Sequence, residues 1–203
     1  MLLRSTLGIL AFAALLAPAS ASVTSYRLSG TFTDATEDYA PLKDTAFTYD
    51  FSFDTGAPNI GDEYHAQYEL ISTHLHTAMG DLQTSSSDPL GFGAVDIDLD
   101  PSYGSMTFGA YAFDEFFNQH VYGLTFPDLD PQKGDLPSDL ESFAADHKGT
   151  FLLTGFGPPR ILGVGTASTD QFTVQRVQSV PEPASMGALA VGALTLARRR
   201  RNR

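Results

Sequence analysis

The sequence contains no cysteine and no tryptophan. The first absence removes disulfides, thiolate zinc sites and a cysteine nucleophile together. A folded domain here must rely on its apolar core, with a bound metal ion as the one remaining clip. Positive charge is also scarce. Of 12 Lys and Arg residues, Arg4 lies near the N-terminus and Arg198, Arg199, Arg200, Arg201 and Arg203 crowd the C-terminus. The chain between keeps six, against 23 acidic residues, for a net charge near −17. Such a surface repels phosphate backbones, so no nucleic-acid partner is expected. It suits a soluble extracellular protein, or one that collects divalent cations. The sequence has no Gly-x-Ser-x-Gly elbow, phosphate loop or dinucleotide fingerprint. Paired carboxylates for glycoside hydrolysis are unspecific among so many acids. No catalytic residue is assigned, and the chain is read as a non-enzyme.

Long hydrophobic runs are missing too, but two short ones stand at the ends. Arg4 precedes an apolar run from Leu7 to Ala17, followed by Ala19-Ser20-Ala21. Small residues at Ala19 and Ala21 fit signal peptidase, so residues 1–21 read as a cleavable signal helix cut after Ala21. At the other end, Val180-Pro181-Glu182-Pro183 breaks the chain, because closely spaced prolines stop a helix from running back. Residues 184–197 are uncharged and rich in Ala, Gly and Leu, and residues 198–203 are basic. The arginines act as a stop-transfer signal and hold the end on the cytoplasmic side. About 14 helical residues span only ~21 Å, against a hydrocarbon core of ~30 Å. The segment is therefore a short transmembrane helix, suited to transient rather than permanent anchoring.

Pro181-Glu182-Pro183, the following Ala184-Ser185, the short apolar stretch and the arginine cluster resemble the PEP-CTERM sorting signal. The resemblance implies an exported protein, held briefly in the inner membrane and processed by the transpeptidase-like exosortase. It implies a place at the cell surface or outside, in a Gram-negative bacterium that makes exopolysaccharide. The expected partners are signal peptidase and exosortase, with extracellular polysaccharide as a further one.

Between the ends, hydrophobic residues alternate with polar ones, the two-residue period of a strand with one buried face. Phe47, Tyr49, Phe51 and Phe53 form the cleanest such run; Tyr26–Phe32, Val95–Leu99, Met106–Ala112, His120–Phe126, Phe151–Leu153 and Phe172–Val174 give others. Residues 64–79 also favour strand. One helix is expected, from a capping box at Ser138-Asp139-Leu140-Glu141, and it predicts two turns. Many short strands with frequent turns predict an all-β domain, an antiparallel sandwich or jelly roll over residues 22–177. A linker at 178–183 then leads to the tail. The run at 47–56, followed by Tyr68 and Ile71, is similar to ectodomains that precede this sorting signal, and it too implies a β-sandwich.

Three polar groupings invite a metal. Asp128, Asp130 and Asp135 share a loop with a glycine, and calcium, which wants several oxygen ligands, would be sought there first. The loop lacks EF-hand spacing, so a plain polar loop is the default. Asp96, Asp98 and Asp100 line one strand face, read as solvated. His74 and His76 share a face with Asp81 nearby, but the rest of a cupin pattern is missing, so an exposed strand face is expected there as well. The aromatics between Tyr103 and Tyr122 are read mainly as core. The exception is the 114–118 loop, where exposed Phe116 or Phe117 would favour carbohydrate binding.

Overall fold

The computed structural model describes residues 23–62, 65–98, 104–114, 116–127, 129, 136–157 and 160–177. The expected signal segment, linker and sorting tail lie outside them. Among the described residues no helix is long and apolar enough to cross a membrane.

The alternating runs become strands: β1 (Val23–Thr31), β2 (Asp34–Ala35), β3 (Ala46–Asp54), β4 (His65–Thr77), β5 (Gly80–Ser85), β6 (Phe92–Asp98), β7 (Ser105–Phe113), β8 (Gln119–Phe126), β9 (Thr150–Gly157), β10 (Arg160–Ser168) and β11 (Phe172–Val177). They form an antiparallel sheet in the order β11-β1-β3-β4-β6-β7-β8-β9-β10-β2, with β5 pairing β4 off that path. The expected all-antiparallel β domain is observed, and its strands form one 11-stranded sheet that curls on itself into a half-barrel. Period-2 alternation specifies which residues point inward. It does not specify whether the facing layer is a second sheet or the same sheet bent round.

The bend is visible in β4. Its 13 residues pair with β6 at His65–Glu69 and with β5 at Ser72–Thr77, and the register against β3 shifts between Ser52 and Phe53. Ala66, Tyr68 and Leu70 are buried before the shift, and Thr73, Leu75 and Thr77 after it. One extra residue changes the inward parity and increases local twist, as a β-bulge does. Strands β5 and β10 carry no strong hydrophobic alternation and were not expected.

The curled sheet closes over an aromatic core centred on β3. Phe108 of β7 lies 5.3 Å from Phe51 and 5.7 Å from Phe53, and Phe151 of β9 lies 4.4 Å from Phe47. Burying each ring contributes roughly 1.5–3 kcal/mol. The buried polar tips are paired. The Tyr49 hydroxyl donates to the Phe108 carbonyl at 3.3 Å, and those of Thr73 and Tyr122 meet at 2.9 Å. Burial pushes the Tyr49 hydroxyl well above its ordinary value, and that of Tyr122 to about 12.

The predicted helix is α1 (Leu140–Asp146). Its N-cap is Asp139 rather than Ser138; the carboxylate accepts from the Glu141 amide at 3.1 Å and the Ser142 hydroxyl at 2.7 Å. Leu140 is buried, its amide donating to the Tyr26 hydroxyl at 3.3 Å, and Glu141 accepts from the Arg176 amide of β11 at 3.2 Å. A carboxylate on that amide covers part of the edge of β11.

Every neighbouring pair on the main path is antiparallel, so β1, β4, β7 and β9 run one way and β3, β6, β8, β10 and β11 the other. The described chain therefore enters and leaves at one end, with Ser25 opposite Val177, and the β7–β8 turn sits at the other.

Candidate functional site

The outward face of β1, β3, β4 and β5 is polar, and the register aligns it in rows. Ser25, Ser52, Ser72 and Ser85 stand opposite one another across the four strands. Arg27, Asp50, His74 and Gln83 form the next row, and Ser29, Thr48, His76 and Asp81 the third. The Arg27 guanidinium grips Asp50 through two hydrogen bonds, Nε to Oδ1 at 2.6 Å and Nη2 to Oδ2 at 2.7 Å. The Ser52 and Ser72 hydroxyls meet at 2.7 Å. A groove of about 560 Å³ opens over the first two rows and reaches Thr84 and Asp88. Thr84 is 5% exposed, and its hydroxyl oxygen finds no hydrogen-bond partner among the described residues. Hydroxyls, a fixed ion pair, an imidazole and a carboxamide together present alternating donors and acceptors, which suits a polar, hydroxyl-bearing ligand.

The structure does bring His74, His76 and Asp81 together. His76 Nδ1 bonds Asp81, and His74 Nε2 lies 3.4 Å from its second oxygen. Hydrogen bonds from His76, outweighing desolvation, hold the Asp81 carboxyl below the usual range. All three side chains are about half exposed, consistent with the expected strand face. Among the described residues no group of three or more His, Asp or Glu could hold a metal ion.

The acidic strand face differs from the expectation. Asp100 lies outside the described residues, but Asp96 is half-buried in a depression with Asp62, His65 and Gln67. Burial raises the Asp96 carboxyl above its ordinary value, and one of its oxygens has no hydrogen-bond partner among the described residues. Asp128, Asp130 and Asp135, the expected calcium loop, lie outside the described residues.

At the end opposite the termini, the 114–118 loop is built around Asp114. Its carboxylate accepts from the Phe116 amide at 2.8 Å, the Asn118 amide at 2.9 Å and the Asn118 side chain at 2.9 Å. It also meets His120 Nε2 at 3.2 Å, while His120 Nδ1 lies 2.5 Å from the Tyr39 hydroxyl. A carboxylate can only accept, so Nε2 carries the proton, and Nδ1 of a neutral imidazole accepts from Tyr39. Burial opposes ionisation of Asp114, but the Asn118, His120 and Phe116 donors outweigh it and hold the carboxyl at about 2. Glycine is required beneath this relay: a Cβ on Gly155 would lie 2.4 Å from the Tyr39 hydroxyl. The loop holds Phe116 and Phe117 out, 74% and 73% exposed, with Phe117 at φ 60°. A bulky residue in the left-handed region is strained by roughly 1–2 kcal/mol, which the hydrogen bonds to Asp114 offset.

Comparison with known families bears on the address. Residues 179–201 match the PEP-CTERM protein-sorting motif. The chain carries a PEP-CTERM tail. The match spans Pro181, Glu182, Pro183 and the arginines from Arg198 to Arg201, while Arg203 falls beyond it. It supports an exported, cell-surface-directed protein sorted by an exosortase. No curated protein and no solved structure matches the chain. The polar rows, the Thr84 hydroxyl and the Tyr39–His120–Asp114 relay were not anticipated. Each depends on strand register, for which the sequence holds no signal.

Proposed function

We infer that the protein is a non-enzymatic component of the cell surface or extracellular matrix, exported through its signal segment and released or attached after its tail is processed. The PEP-CTERM match carries this reading. The fold supports it: β11 ends at Val177, three residues before the motif's Val180-Pro181, so the processing enzyme works close against the folded domain. Changing Pro181 and Pro183 to Ala leaves an unprocessed, membrane-held form on cell fractionation. Normal processing and location of that variant would refute the role of the motif.

The groove on the polar face favours a second reading, in which the domain binds extracellular polysaccharide. Its rows of hydroxyls beside Arg27, Asp50, His74 and Gln83 offer the paired donors and acceptors that sugar diols use. Calcium assistance through Asp128, Asp130 and Asp135 belongs to this reading. Binding of the organism's own exopolysaccharide, lost in Gln83→Ala and His74→Ala, supports it; equal binding by both variants removes the groove from consideration. A melting temperature unchanged between millimolar calcium and chelator removes the calcium.

A further inference from the structure

Towards the 114–118 loop the outward face of β6–β10 is apolar, in contrast to the groove side, whereas its other end carries Asp96, Thr107 and Thr125. Phe92, Tyr111 and Val121 stand opposite one another on β6, β7 and β8. Further along, Phe113, Gln119, Phe156 and Ile161 form the next row, on β7–β10. Tyr111 touches both aromatic neighbours, its ring centroid 6.0 Å from Phe92 and 6.2 Å from Phe113. Leu152 sits beside this surface, and the 114–118 loop extends it with Phe116 and Phe117. Between Tyr111–Val121 and Thr107–Thr125 the paired Gly109 and Gly123 leave a shallow dip. A Cβ on Gly123 would lie 2.7 Å from the Gly109 Cα.

We propose that a second copy of this chain covers this face. The first argument is area. The exposed fractions of Phe92, Phe113, Phe116, Phe117, Val121, Leu152, Phe156 and Ile161 amount to about four whole side chains. At ~150–250 Å² per large side chain this is roughly 700 Å². That exceeds the few hundred Å² a monomer ordinarily exposes and approaches the ~800 Å² each partner contributes to a standard interface.

The second argument is charge. β7, β8 and β9 contain no Asp, Glu, Lys or Arg. Two copies of a domain near −17 repel each other least across this end of the face, which leaves Asp96 and Asp98 of β6 at the other end.

The third is side-chain chemistry. The rings of Phe92, Tyr111, Phe113 and Phe156 could each stack on a sugar, but the aliphatic Val121, Leu152 and Ile161 lie among them, and in the two rows only Tyr111, Gln119 and Thr154 carry hydrogen-bonding groups, fewer than a glycan's hydroxyls require. A two-fold pairing lets one patch serve both partners. Phe116 and Phe117, 74% and 73% exposed, extend the patch beyond the sheet.

The cysteine-free chain permits a direct test in the full-length protein on whole cells. Single variants Val121→Cys and Phe156→Cys are treated with a short bis-maleimide, beside Gln83→Cys and Ser85→Cys on the polar face. The expected result is a species of twice the mass from the first pair only, abolished when Tyr111→Asp and Phe113→Asp are added to Val121→Cys. Resistance to protease shows that the combined variant still folds. Equal cross-linking from both faces, persistence with the two aspartates, no cross-link from either patch cysteine, or a product of another mass each overturns the proposal. Tail processing, followed by mobility in the same samples, reports the sorting reading separately.

Discussion

The polar face of β1, β3, β4 and β5 and the apolar face of β6–β10 lie outside one continuous core, and they differ in almost everything except their inner sides. Both halves bury aromatic rings at alternate positions, and Phe108 on one touches Phe51 and Phe53 on the other. Outside, one half is lined with hydroxyls, histidines and an Arg–Asp pair, the other, towards the 114–118 loop, mainly with Phe, Tyr, Val, Leu and Ile. Folding requires only the inner alternation. The outer contrast is therefore surplus to the fold, and it is there that function is to be sought.

Substitutions can separate what the halves share from what they do not. The largest effect is expected from the shared core. Phe108→Ala opens a cavity against β3 and costs about 3–5 kcal/mol, read as a loss of denaturant midpoint and increased protease sensitivity. On the apolar side, Gly123→Ala drives a methyl into the neighbouring strand and costs about 1–3 kcal/mol, and a thermal melt reads it. A Gly123→Ala variant as stable as the parent would show that the two strands can part there without loss.

The loop relay gives a smaller, pH-dependent difference. The Asp114 carboxyl sits near 2 in the folded chain, against an ordinary 3.8. Its folded value is depressed, so its contribution is complete above the ordinary value and is lost as pH falls from about 4 towards 2. Asp114→Asn should lower the melting temperature at pH 7 and reduce the fall seen between pH 4 and pH 2. The same acid slope in variant and parent would assign the effect to other carboxylates. The smallest change is expected on the polar face. Arg27→Met removes an exposed ion pair worth about 0–1 kcal/mol, so stability barely moves while polysaccharide binding, if the groove provides it, is reduced.

Much of the inner surface was legible beforehand, because burial imposes a period that the sequence keeps. Phe47, Tyr49, Phe51 and Phe53 announce β3 without ambiguity, and the box from Ser138 to Glu141 marks the start of α1 within one residue. The curl was not legible. It depends on where β4 exchanges one partner for another, and Ile71 and Ser72, where its parity changes, look like any other strand residues. β5 and β10 escaped notice because Leu82 and Thr84 alone give little alternation, and Gly163 and Gly165 interrupt β10. The outer faces were hidden for a different reason. Tyr111 and Phe113 have the composition of core residues, and only the register shows that they share a face with Val121 and Phe156. Conversely, the tail at Pro181-Glu182-Pro183 was readable directly, since a sorting signal acts through local sequence rather than through a fold.

The pairing of β1 with β11 has a consequence for timing. The first strand to leave the translocon closes its outer edge against the last, with Ser25 opposite Val177. A chain exported from its N-terminus can assemble β3 to β10 progressively. It cannot complete the edge of β1 until nearly the whole domain has crossed, when the sorting tail follows close behind. Completion of the fold and arrival of the tail are thus nearly simultaneous. The chain becomes a finished domain at about the moment its sorting motif becomes available for processing.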